Sequence, residues 1–190
     1  AGLAWVEEPL FMEWYEQMAQ LAAYSKVPIS GGELHTSGYA ELAEMVAKRC
    51  YDIFQPDAMW TGGIQQTLAI AKLVRAARLK YTNHTWSNGI GFAVNLQVFL
   101  ASGFAGEMEF EYPLSPPGWT TEARDAILAQ PWTHNRGTLD APTAPGLGFE
   151  IDEHALAHYG RCFFKANRKK VFWMPEVLAD LTVAAPLPKR

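Results

Sequence analysis

A chain of 190 residues is long enough for a domain with a substantial core, and its 49% hydrophobic and 19% charged residues exclude a disordered chain. A formal net charge of −4 argues against nucleic acid as the main partner, since such a face is basic, and no run of about 18 apolar residues exists to cross a membrane. The only cysteines are Cys50 and Cys162, too few for a disulfide framework, so a reducing cytoplasm is the expected compartment.

The opening AGLAWVEEPL has neither a basic start nor a long apolar stretch, so no signal peptide is read there. It enters the first element almost at once, which suggests a fragment. Residues 3–8 (LAWVEE) are apolar and closed by Pro9, predicting a buried strand that ends in a loop. Phe11, Trp14, Tyr15, Met18, Leu21 and Ala22 then recur at spacings of three and four, the stripe of an amphipathic helix. Residues 27–30 (VPIS) predict a second strand, broken by Gly31 and Gly32, and Leu42, Met45, Val46 and Cys50 give a second helical stripe. Residues 51–54 (YDIF) read as a third strand. Gly62 and Gly63 open a third helix with Ile64, Leu68, Ala71 and Val74 on one face. Residues 79–83 (LKYTN) read as a fourth strand. Ser87 or Asn88 caps a fourth helix carrying Ile90, Val94, Val98 and Ala101, and Gly103 ends it. Residues 108–112 (MEFEY) read as a fifth strand.

The rhythm breaks after Tyr112. Pro113, Pro116, Pro117, Pro131, Pro142 and Pro145 mark a loop-rich stretch. Within it Thr121 is expected to cap a short helix through Leu128, residues 146–151 (GLGFEI) to form a short strand, and Asp152 to cap a helix through Tyr159. The division expected is therefore 1–112 as strands with their helices and 113–190 as a tail that packs on something else.

Strands alternating with helices imply parallel pairing with right-handed crossovers. An open doubly wound sheet and a closed barrel both fit. The polar residues discriminate. One ionisable residue follows each strand: Glu7, Glu33, Asp57, His84 and Glu109, separated by 26, 24, 27 and 25 residues. In a (β/α) barrel all strand exits meet at one mouth, so such residues converge. An open sheet uses its crevice at one switch point, and no GxGxxG opens a helix here. A barrel takes about 250 residues, so three further βα units are expected before Ala1.

Glu7 and Glu33 are carboxylates at neighbouring exits, the oxygen ligands that Mg²⁺ prefers; pairing with Lys or Arg across the barrel top fits them equally. Asp57 beside His84 would fix the ring's tautomer and make a general base, or be a structural hydrogen bond. Glu109 and Glu111 lie on one strand at i and i+2, so both face the same way; one could bond a substrate oxygen while protonated, the other form a salt bridge. His35, two residues past Glu33, could reach the mouth as a substrate contact or sit in solvent. Trp86 and Trp60 flank the site and either wall a pocket or join the core. His134 lies in the tail. His154 and His158 share a helix face without an HExxH pattern, and Arg161, Lys165, Arg168, Lys169 and Lys170 form a basic cluster; both read as solvated surface.

At these residues the sequence resembles the mandelate racemase group of the enolase superfamily. The segments that carry the likeness are WVEEP (5–9), GGE (31–33), QPDAMWTGG (55–63), NHTWSNGIG (83–91) and TLDAPTAPGLGFEID (138–152), in the family's order. The resemblance implies an α/β fold, the C-terminal part of a (β/α)7β TIM-like barrel supplying strands four to eight. Its tail would cover a capping domain absent from this chain. It implies that Glu7 and Glu33 are two of three Mg²⁺ ligands and that Asp57 and His84 are the catalytic dyad. The eighth-strand acid would be Glu109 by distance from His84, with Glu111 the alternative. An Asp ligand and a Lys pair of the family lie on strands this chain lacks, so the fragment alone is expected to be inactive.

The chemistry so implied is Mg²⁺-dependent removal of the proton α to a carboxylate, giving an enediolate. Dehydration of a sugar acid such as an aldonate to a 2-keto-3-deoxy acid comes first, with His84 as base or as the acid for the leaving hydroxyl. Racemisation or epimerisation of a 2-hydroxy acid uses the same residues. A non-catalytic relative is the reading of a different class. A small carboxylate partner and a symmetric homo-oligomer are expected.

Overall fold

The protein is described by a computed structural model for residues 2–160; Cys162 and the basic cluster from Arg161 to Lys170 lie outside the described residues. Four short strands, β1 (Val6–Glu7), β2 (Ile29–Gly31), β3 (Ile53–Phe54) and β4 (Lys80–Tyr81), alternate with α1 (Tyr15–Tyr24), α2 (Tyr39–Lys48), α3 (Ile64–Ala76) and α4 (Gly89–Ser102). All neighbouring strands pair in parallel and in chain order, with Val6 opposite Ile29, Ser30 opposite Ile53 and Phe54 opposite Tyr81. An order that never reverses has no switch point, so the sheet is part of a barrel wall and not a doubly wound sheet.

The paired strands are shorter than the apolar runs suggest, but backbone bonds continue the alignment toward the site. Glu8 N–H donates to the Ser30 carbonyl (2.9 Å), Gln55 N–H to Gly31 (2.8 Å), Thr82 N–H to Phe54 (3.0 Å) and His84 N–H to Pro56 (3.3 Å). These bonds hold the strand exits level with one another. The expected fifth strand at 108–112 does not form a ladder. Threonine hydroxyls take over: Thr82 Oγ1 donates to the Glu109 carbonyl (2.7 Å) and Thr85 Oγ1 to the Glu111 carbonyl (3.0 Å).

The core lies between sheet and helices. Met18, Leu42, Met45, Val46, Cys50, Ile70, Ala71 and Val74 pack against Ile29, Ile53, Phe54 and Tyr81, and each large apolar side chain buried contributes about 1.5–3 kcal/mol. The second helical stripe is buried as expected. Phe11, Trp14 and Ile64 are exposed instead, because α1 and α3 begin at Tyr15 and Ile64 and the residues at or before their first turn point away from the sheet.

Helix α4 departs furthest from its expected stripe. Val98 is buried, but so are Phe92, Ala93, Asn95, Leu96 and Phe99. The helix is covered on a second side by residues 110–112 and the proline-rich segment: Phe92 meets Phe110, Tyr112 and Trp132, and Trp132 Nε1 donates to the Gly89 carbonyl (3.0 Å). Asn88 caps α4 through Ile90 and Gly91 N–H, and Gly103 ends it at φ 81°.

Residues 113–151 thus pack with the preceding strands and helices, and a second unit begins at Asp152. The short helix of that segment, α5 (Thr121–Asp125), is capped by Thr120 rather than Thr121 and stops before Leu128. Residues 146–151 do not form the expected strand. Only Ile151 makes an antiparallel bridge, to Leu128; three glycine or proline residues at 145, 146 and 148 deny the run a regular pleat. In the second unit α6 (Glu153–Tyr159) is capped by Asp152, as its sequence predicts, and carries His154 and His158 exposed. No helix among the described residues is long and apolar enough to cross a membrane.

Candidate active site

Strand exits place the ionisable residues, and their bonds show which ones meet. His84 follows β4, and its ring is held at both nitrogens: Nδ1 lies 3.0 Å from Asp57 Oδ2 and Nε2 lies 3.0 Å from Glu33 Oε2. Asp57 is fully buried in the loop after β3, while Glu33 is partly exposed in the loop after β2. Glu7 ends β1, and its Oε2 accepts a hydrogen bond from Gln55 Nε2 (3.0 Å).

The loop carrying Glu33 is forced by close packing. A Cβ on Gly31 would lie 2.6 Å from the Tyr51 ring and 2.7 Å from Glu8 Cγ, so a larger residue would have to displace one of them. Gly32 sits at φ 112°, in the region that favours glycine, and its N–H donates to Glu8 Oε1 (3.0 Å). Glu8 itself holds φ 38°.

The eighth-strand candidates separate. Glu111 accepts a bond from the Thr85 N–H (2.6 Å) and acts on His84 through its charge. Glu109, ranked first by spacing, is exposed and lines a different hollow with Phe99, Phe110 and His134. The two do not share a face because residues 108–112 lack the regular pleat that i, i+2 reasoning assumes.

His35 also departs from expectation. It is neither solvated nor on the open wall: its ring is buried, and Nδ1 bonds Glu41 Oε1 (2.8 Å), which also accepts from the Tyr15 hydroxyl (2.6 Å). Glu41, in the first turn of α2, turns the ring inward. Trp60 and Trp86 are about half exposed and so not core residues; Trp86 meets Trp119 edge to face.

Burial and the mutual charges of the acids set the proton affinities. Burial raises the Glu33 carboxyl above its ordinary range, and the charges of Glu8, Glu7 and Glu111 add to this against the opposing pull of His84. Burial likewise raises Glu111, with Glu7 and Asp57 adding. Burial alone would lower His84, but the Asp57 hydrogen bond and the charges of Glu111, Glu33 and Asp57 outweigh it and lift the ring above 6.5. The site is short of positive charge.

That shortage is the fit test for a metal. Glu7 and Glu33 are hard oxygen donors in a crowded anionic environment, which suits Mg²⁺ as part of a shell completed by other oxygens. Among the described residues no group of three His, Cys, Asp or Glu is arranged to hold an ion by itself.

A parallel wall in unbroken order, with acids and a histidine converging at its strand exits, is the site-bearing part of a (β/α) barrel. The family model for the enolase C-terminal domain-like fold matches residues 1–155, and the chain belongs to that family, in the mandelate racemase group of the enolase superfamily. It is similar to a D-galactarolactone cycloisomerase from Agrobacterium fabrum, 29% identical over 83% of this chain and 42% of the relative. It is also similar to an arabinonate dehydratase from Saccharolobus solfataricus, 30% identical over 83% of this chain and 40% of the relative. The crystal structure of L-talarate dehydratase from Polaromonas sp. JS666, complexed with Mg and L-glucarate, superposes with a TM-score of 0.67 at 30% identity, covering 82% of this chain and 39% of that one. The chain therefore spans about 40% of the length of such relatives.

Sequence reasoning overlooked Gln55 and Asn95, which donate to Glu7 and Asp57, and Glu8, which accepts from the Gly32 N–H. Asn95 did leave a signal, shared with Gln97: they are the two amides inside the largely apolar GIGFAVNLQVFLAS.

Proposed function

We propose that the protein containing this chain moves the proton next to a carboxylate, with His84 as the transferring group, and dehydrates a sugar acid to a 2-keto-3-deoxy acid. The observation that carries this reading is the His84 ring, held by Asp57 at Nδ1 and turned to Glu33 with Nε2. Asp57 keeps the proton on Nδ1, and Nε2, once substrate replaces Glu33 beside it, takes the proton from C2. The C3–O bond then breaks, the hydroxyl leaves as water with the proton that His84 took from C2, and the resulting enol becomes the 2-keto acid. Glu7 and Glu33 would hold Mg²⁺. When bound, that ion supplies positive charge beside the substrate carboxylate and acidifies the α-proton. Glu111, raised by burial, is the carboxyl suited to donate a hydrogen bond to a substrate oxygen; Glu109 takes that role only if the loop rearranges. Trp86 and Trp60 form part of the wall.

In the same reading residues 1–112 supply barrel strands four to eight, and the segment from 113 covers the barrel and a capping domain. The protein works in the cytoplasm as a symmetric homo-oligomer. Incubating the intact protein and Mg²⁺ with a library of sugar acids tests the reaction. A 2-keto-3-deoxy product is expected, and failure to turn over any member would end the reading. The likeness to a cycloisomerase favours one second reading, proton transfer at the same carbon without loss of water. Deuterium incorporated from D₂O into a product of unchanged elemental composition marks it, or marks racemisation if the product is the C2 epimer.

A further inference from the structure

The proton-transfer ring is held by Asp57, but something must hold Asp57. Asn95, in the middle of α4, is fully buried, and all four of its hydrogen-bonding positions are used. Nδ2 donates to Asp57 Oδ1 (2.7 Å) and to the Gly91 carbonyl (3.2 Å). Oδ1 accepts from the Ala58 N–H (2.8 Å) and from Asn83 Nδ2 (3.0 Å). The orientation of the amide is not a free choice. A backbone N–H can only donate and a backbone carbonyl can only accept, so Ala58 and Gly91 force the NH₂ group toward Asp57.

Asn83 is fixed in the same way. Its Nδ2 donates to the Pro56 carbonyl (3.1 Å), and its Oδ1 accepts from the Tyr81 hydroxyl (2.8 Å). The consequence falls on Asp57. Oδ1 already accepts from Asn95 and from the Met59 N–H (2.8 Å), so only Oδ2 is left for the ring. A carboxylate oxygen accepts, so the proton in the bond between Oδ2 and the ring lies on the ring nitrogen, His84 Nδ1.

We infer that Asn95 is the positioning residue of the dyad: it locks the Asp57 carboxylate so that His84 holds its proton on Nδ1 and offers Nε2 to the substrate. This deepens the reading above and rests on it for its kinetic consequence, but not for its spectroscopic one. A merely structural Asn95 would tie α4 to the loop after β3 and nothing more. Its loss would then lower the melting temperature without changing the ring.

The test is Asn95→Leu in the intact protein, with three readouts. Nitrogen NMR of His84, above its titration, is expected to show a pyrrole-type Nδ1 in the unsubstituted protein and a mixture of tautomers in the variant. The rate of C2 proton transfer is expected to fall about 10- to 100-fold, with KM changed by less than about twofold. A folded variant with an unchanged ring signature and rate overturns the inference. If Asn95→Leu does not fold, Asn95→Ala takes its place. In the unsubstituted protein, Asn95 side-chain amide protons that exchange with D₂O as slowly as core amides support the inference, and exchange as fast as a surface asparagine overturns it. Should no sugar acid be turned over, the functional reading fails while the ring signature still decides the role of Asn95.

Discussion

The two halves of the candidate site are built differently. On the β3–β4 side, Asp57, Asn83, Asn95 and Tyr81 are buried with their polar atoms bonded to one another or to backbone. On the β1–β2 side, Glu7, Glu8 and Glu33 crowd together, and Ser30 Oγ, Gln55 Oε1, Tyr51 OH and His35 Nε2 are buried without a partner. Buried polar atoms normally find partners, and leaving one unpaired costs about 1–3 kcal/mol. The Asp57–His84 half thus has its polar atoms paired within the described residues. The anionic half is arranged to receive something more, and a divalent cation with oxygen-rich neighbours fits both its charge and its donors.

Removing the anchor from the Asp57–His84 half should have the largest effect. Asp57→Asn leaves the shape but takes away the charge that fixes the ring, and turnover by the intact protein should fall by about 10⁴-fold. Exchange of the C2 proton in D₂O measures it. A loss under tenfold would show that the two halves do not divide the work in this way. The substitution should also let burial lower the His84 titration, seen by NMR in Mg²⁺-free protein.

Glu33→Gln probes the anionic half. Calorimetry should show Mg²⁺ binding weakened by about 10- to 100-fold, while the Asp57–His84 contact survives. Unchanged affinity would remove Glu33 from the shell. Gly31→Ala acts on the same half through packing. Its Cβ would press on the Tyr51 ring and Glu8, and overpacking of this kind costs about 1–3 kcal/mol, read from denaturant midpoints.

The smallest expected effect is a pH trend. Glu33, Glu111 and His84 all bind protons more tightly in the folded protein. Groups raised on folding stabilise fully below their unfolded values, 4.5 for the two carboxyls and 6.5 for His84, and that stability is lost as pH rises through the folded ones. The melting temperature of Mg²⁺-free protein should therefore fall between about pH 5 and 8, and Mg²⁺ should flatten the slope by supplying the missing positive charge. A melting temperature that climbs across this window would contradict the charge shortage.

The sequence by itself determined the alternation of strands and helices and the residues that end each strand, because both are local: apolar periodicity, glycine breaks and caps act within a few residues. It therefore named Glu7, Glu33, Asp57 and His84, and narrowed the α4 cap to Ser87 or Asn88, of which the fold uses Asn88. Only the tertiary structure decided that Glu111 and not Glu109 approaches His84, since that depends on a segment held by threonine hydroxyls instead of a ladder. Only it turned His35 inward onto Glu41 and wrapped the proline-rich segment around α4. Asn95 is the clearest case: it was legible, with Gln97, as one of two amides in a largely apolar helix, but its target, Asp57, lies 38 residues away in the chain. Contacts between distant segments arise from packing, and no pattern along the chain encodes which lone pair meets which proton.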